Sequence, residues 1–253
     1  MAGGRSGLSG VAPTWRMVAL VAGAGVVATV ALSTSGIEAV PPERTSEFGG
    51  HPAGWAGVPA RLVDALSYFT IWSNVVVALA AGALARRGTR GEGTTAAGGP
   101  TRRGAREDAP GRAGRRHHPW LPVLLLDALL MITITALVYW VVLAPTTEVR
   151  GLEHVTNPWI HGLTPLLALG TWWLVGPRRL LRWGHVPRAL VIPLVWVAWT
   201  LARGAATGTY PYGFLDVVDL GAARAGLNVL GVLALGLVLA AGFVGLDRAR
   251  GRG

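Results

Sequence analysis

Six apolar runs, near residues 17–34, 62–85, 120–143, 159–175, 186–202 and 225–246, constrain this chain more than anything else in it. Each is close to the ~17–25 residues that carry a helix across ~30 Å of hydrocarbon. Inside a bilayer no water is available to the backbone, so each N–H and C=O must be bonded within the protein. Uninterrupted runs of this kind meet that demand as helices. The expected fold is therefore all-α: a polytopic membrane protein in which residues 1–253 form a single domain of six transmembrane helices, with both termini cytoplasmic. Composition agrees, since only 14% of residues are charged against about 25% in soluble domains. The fourth and fifth runs are short and contain Pro165 and Pro193. Proline is tolerated in a span where neighbouring groups satisfy the carbonyl it frees.

Orientation follows from arginine. All 23 basic residues are Arg, and 18 of them fall in the N-terminal segment, the second and fourth connections and the C-terminal tail. Those segments share one side of a six-span topology, and the positive-inside rule makes it the cytoplasmic side. Residence in a cell membrane, as a multi-pass bacterial plasma-membrane protein, is the matching expectation. The net charge of +10 would suit a nucleic-acid binder, but charge parcelled between spans is explained by topology, and no nucleic-acid partner is expected. Arg5 and Arg16 before the first run, with Ala31-Leu32-Ser33 after it, also resemble a secretory leader. The length of the run favours a retained helix.

Residues 87–118, rich in Gly, Pro and Arg, have no apolar period and read as a disordered basic cytoplasmic loop. Its His117-His118 pair is read as part of a solvated surface near anionic lipid, not as a metal site. The chain has no cysteine, which removes thiol nucleophiles and Cys-ligated metals. P-loop, dinucleotide and nucleophile-elbow motifs are absent as well. Neither cofactor nor metal is expected.

Polar residues inside spans are costly and usually have a role. In the second run Ser67, Thr70 and Asn74 fall within about 60° of one another at 100° per residue, with Asp64 at the edge of the stripe. In the fourth, Asn157, His161, Thr164 and Thr171 share a face by the same arithmetic. The loop after the fifth run, with Tyr210, Tyr212 and Asp216, lies on the same outer side. Taken one by one, each residue has a second reading. Thr70 would bond the Leu66 carbonyl one turn back, His161 would link helices, and Tyr139-Trp140 and Trp172-Trp173 would be packing aromatics. Asp127, deep in the third run, is either a structural lock or a proton or substrate group. Counted as continuous helices, Thr70 and His161 sit at depths about 7 Å apart.

The combination of FTIWSN in the second run, NPWIHGLTP opening the fourth and YPYGFLDV after the fifth resembles the androgen-induced family of membrane proteins and its bacterial six-helix relatives. The likeness extends from about Trp15 to Leu246. It implies an intramembrane threonine hydrolase acting on fatty acid esters of hydroxy fatty acids. Thr70 after Tyr68-Phe69 would be the nucleophile and His161 before Pro165 the base. Gly213 interrupts the closing motif, and His161 lies between Ile160 and Gly162; both are departures that bear on substrate choice. Ser67, Asn74 and Asn157 are candidate oxyanion donors, and Thr164, Tyr210, Tyr212 and Asp216 are candidate pocket residues. Membrane lipids and a lipid ester are the expected partners. A non-enzymatic membrane protein, binding lipid or a small solute or serving as a partner subunit, is the alternative.

Overall fold

A computed structural model describes residues 11–37, 48–52, 54–96 and 119–251. They are helical, without a β-sheet among the described residues. In order the helices are α1 (Val11–Ser35), α2 (Val58–Ser67), α3 (Phe69–Ala96), α4 (Leu121–Val138), α5 (Glu153–Pro158), α6 (Thr164–Val175), α7 (Val186–Ala189), α8 (Val191–Thr207), α9 (Val217–Leu220) and α10 (Ala222–Arg250). A π turn, Tyr139–Leu143, prolongs α4, and another, Trp159–Leu163, joins α5 to α6.

Five helices are long and apolar enough to cross a membrane: Val11–Ser35, Phe69–Arg87, Leu121–Leu143, Trp183–Thr207 and Ala222–Arg250. The fourth apolar run, 159–175, is instead divided between the π turn and the 12 residues of α6. Helix α4 forms the axis of the bundle, with Leu125 to Ile132 buried without a gap. Helix α1 lies along α3, burying Trp15, Val18 and Ala22. Gly25 of α1 lets Trp159 and Ile160 come close, since a Cβ there would lie 3.1 Å from both side chains. Helices α8 and α10 are peripheral. Their exposed Val191, Leu194, Leu227, Leu230 and Val238 form the apolar belt that a lipid environment would cover.

Two expectations need correction. The second run is not one helix from 62 to 85, because the chain is broken at Tyr68, which is extended at φ −75°, ψ 133°. The loop read as beginning at 87 is helical as far as Ala96. The remainder of that loop, including His117 and His118, lies outside the described residues.

Candidate active site

The break at Tyr68 builds the first half of the site. Ser67 turns its hydroxyl back to the Val63 carbonyl at 2.7 Å, a local bond that competes with helix continuation. The carbonyls released by the break are taken up by indoles. Trp72 Nε1 donates to Leu66 at 2.8 Å, and Trp196 Nε1 donates to Ser67 at 2.9 Å. With the span restarting at Phe69, Thr70 occupies the second position of α3, and its carbonyl accepts from Ser73 Oγ and Asn74 Nδ2, both at 2.9 Å. Thr135 of α4 donates to Ser73 at 2.8 Å, fixing the turn from the side.

The second half is the π turn. There the Thr164 N–H reaches Trp159 instead of Ile160, and Pro165 has no N–H for the His161 carbonyl. Two acceptors are left open in a buried place, which is costly unless each is filled. Asn74 Nδ2 donates to Ile160 at 3.2 Å, and Trp140 Nε1 donates to His161 at 2.9 Å. The irregular backbone is thus satisfied from α3 and α4.

These two irregularities bring Thr70 and His161 together. Thr70 Oγ1 lies 3.1 Å from His161 Nε2, and the two residues are 8% and 7% exposed. The depth mismatch expected from continuous helices is absent, because Thr70 begins a helix instead of lying eight residues inside one. His161 Nδ1 is 3.0 Å from the Asn157 carbonyl. A carbonyl only accepts, so the network assigns the proton to Nδ1 and leaves the Nε2 lone pair facing the threonine hydroxyl. Tyr139 stacks on the imidazole with centroids 3.7 Å apart and planes 11° apart. Together, carbonyl and ring stacking set the plane and tautomer of the imidazole.

Tyr212 closes the site from the loop after α8. Its phenol approaches the Thr70 side chain and the backbone amides of Phe69 and Thr70, the two N–H groups that open α3. Burial pushes this phenol up to about 12, and those same groups partly offset the rise. Its ring meets Tyr68 and Trp196 at 5.6 and 6.0 Å and stacks on Phe214 at 5.3 Å. Thr70 and Tyr212 also border a narrow cleft running down between α4, α8 and α10.

The other expected residues sort differently. Ser67 accepts from Trp199 Nε1 at 3.2 Å and supports the break. Asn74 spends its amide on two carbonyls, and Asn157 reaches His161 through its backbone. The donors of Ser67 and Asn74 are thus spent on backbone carbonyls. Thr164 is fully buried, with no partner for its hydroxyl. Tyr210 packs on Gly204, where a Cβ would lie 2.0 Å from its ring. Asp216 caps α9, accepting from the Val218 and Asp219 amides. Asp127 is buried in α4, eight residues from Thr135, and is not among the residues lining the cleft.

Above the dyad, Asp64 is paired with Arg203 and with His51, the latter at 2.5 Å. The Arg203 guanidinium lies 4.0 Å over the Phe48 ring, and Phe48 meets Tyr68 at 5.6 Å. Among the described residues there is no cluster of three metal-ligating side chains.

Sequence reasoning missed Ser73, Thr135, Trp140 and the stacking of Tyr139 on the His161 imidazole. A signal was present in the two prolines flanking His161, since freed carbonyls require donors from somewhere. Comparison with protein-family models, with curated proteins and with solved structures finds no match to this chain.

Proposed function

We propose that this protein is an integral membrane lipid ester hydrolase, with Thr70 as nucleophile and His161 as general base. The reading keeps six spans and the arginine-derived orientation, which puts the dyad near the outer leaflet. One observation carries it: a buried threonine hydroxyl 3.1 Å from an imidazole nitrogen whose opposite nitrogen is tied to a carbonyl. A threonine hydroxyl needs such a base to become nucleophilic, and transfer needs heavy atoms within about 3 Å.

In the mechanism this supports, Thr70 Oγ1 attacks the ester carbonyl carbon as its proton passes to His161 Nε2. The bond from the carbonyl carbon to the alcohol oxygen then breaks, and the alcohol leaves with that proton. Water attacks the resulting acyl-threonine and gives a proton to Nε2. The C–Oγ bond breaks, the carboxylic acid departs, and the hydroxyl is restored. The negative charge on the tetrahedral oxygen needs donors aimed at it. We assign that role to the Phe69 and Thr70 amides that open α3 and to the Tyr212 hydroxyl beside them. Fatty acid esters, including those of hydroxy fatty acids, match an apolar cleft that begins at the nucleophile. The likeness of FTIWSN, NPWIHGLTP and YPYGFLDV to the androgen-induced family points to the same chemistry.

The test is a fluorophosphonate probe on detergent-solubilised protein. Labelling is expected in wild type and in Thr70→Ser, and is lost in Thr70→Ala and His161→Ala at unchanged thermal stability. A second reading rests on the same bonds seen as scaffolding. The Thr70–His161 and Asn74–Ile160 contacts join two interrupted helices, as a non-enzymatic lipid or solute binder would also need. In that case no variant labels, and Thr70→Ala lowers the melting temperature.

A further inference from the structure

The cleft beside Thr70 has features the dyad alone does not require. Three of its polar members, Thr70, Tyr139 and Tyr212, gather at one end, and Thr135 lies one turn further along α4. From there the walls are apolar: Val138 and Leu130 of α4, Leu190 and Val197 around α8, Val232 and Gly236 of α10. At the far end Leu130 is fully buried and crowds with Ile134 and Leu190 around Gly236. Although α8 and α10 both form walls, their backbones stay apart from one another along most of their length.

We propose that this cleft holds one unbranched acyl chain, admitted sideways between α8 and α10, and that Gly236 at its far end sets the longest acyl group accepted. The proposal rests on the hydrolase reading for which end of the chain sits at Thr70. The length is read from α4. Tyr139, beside the dyad, and Leu130, at the floor, are nine residues apart, so the channel runs about 13 Å below the reaction centre at ~1.5 Å per residue. An extended chain advances roughly 1.2 Å per bond, which gives room for about ten carbons. Gly236 is the adjustable part of the floor. A Cβ there would meet Leu130, Leu190 and Ile134 side chains at 3.5 to 3.7 Å, ordinary contact. Alanine therefore fits, while a leucine side chain must enter the channel. Replacing a helix-interior glycine also favours the helix itself.

The test uses the full-length protein and 4-nitrophenyl esters of even chain length from butyryl to hexadecanoyl. In wild type kcat/KM is expected to rise by up to about fourfold per added methylene, and to stop rising near ten carbons. Gly236→Ala keeps that profile nearly unchanged. Gly236→Leu moves the break down by about two to three carbons, with the loss greatest for the longest esters and least for butyryl. A break that stays in place in Gly236→Leu, or a profile without a break, overturns the proposal. If wild type cleaves no ester, the hydrolase reading fails, and the channel is judged separately by decanoic acid carrying a terminal diazirine. Crosslinks confined to the segments around 190–197 and 229–236, and lost in Gly236→Leu, uphold the channel. Crosslinks spread evenly over the lipid-facing helices overturn it.

Discussion

At the scale of single residues, the site depends on groups that hold other groups. His161 can act as a base only while Nδ1 keeps its proton on the Asn157 carbonyl, and Thr70 is aimed by three side chains that act through its carbonyl and turn. Tyr212 is the residue whose removal separates chemistry from scaffolding. Its phenol, pushed up to about 12 by burial, stays protonated and able to donate through the neutral and mildly alkaline range. Tyr212→Phe keeps the stacking on Phe214 and loses the hydroxyl. The expected result is a fall in kcat of about 10²–10³-fold with KM little changed, the size typical of one oxyanion donor, and no new titration in the rate profile between pH 7 and 9. Steady-state ester hydrolysis by the two proteins checks it. Thr70 and His161 were legible in the sequence because any polar residue in an apolar run stands out. Ser73 and Thr135 were equally polar, but a hydroxyl in a membrane helix is ordinarily satisfied by its own backbone. Tyr139 and Trp140 were hidden by the habit of reading membrane aromatics as packing.

At the scale of elements, the working parts are the interruptions. Pro158 and Pro165 announce the irregular turn around His161 from the sequence alone. The break at Tyr68 is not announced, since neither Gly nor Pro stands there; it exists because Trp72, Trp196 and Trp199 arrive to satisfy what it exposes. Local sequence cannot reveal a break that distant residues stabilise, which is why 62–85 reads as one helix. The π turn offers a direct test. Pro165→Ala supplies an N–H one turn beyond the His161 carbonyl and competes with Trp140 for it. The helix is then expected to regularise, turning the imidazole from Thr70: stability is unchanged or higher, while probe labelling falls by about tenfold or more. Thermal unfolding and labelling rate, measured side by side, distinguish this from simple misfolding. At the other end of the site Asp216 holds α9 through two amides. Asp216→Ala is expected to cost about 1 kcal/mol of stability, read as a lowered melting temperature, with a smaller loss of activity than Tyr212→Phe.

At the scale of the whole molecule, the apolar runs foretold a helical membrane protein, and five helices fit that description by length and composition. Their arrangement around α4 was not legible, because a run that is apolar on every side does not say which face meets lipid. The orientation proposed here rests on arginine, and the proposed chemistry depends on it: an ester drawn from the outer leaflet requires the Thr70 end to face outward. The chain contains no cysteine, so single thiols can be introduced without background. Thr147 lies exposed in the connection after α4, at the end of α4 that carries the dyad. Gly184 is exposed between α6 and α8, with nothing within 4 Å of an added Cβ. In intact cells Thr147→Cys should react with a membrane-impermeant maleimide, and Gly184→Cys only after the membrane is opened. The reverse pattern would turn the cleft toward the cytoplasmic leaflet and make the substrate a lipid of that side, leaving the dyad chemistry intact. Reaction of both thiols in intact cells would mean that the two ends share one side. Such a result would contradict a bundle in which α4 and α8 each cross the bilayer from the arginine-rich face.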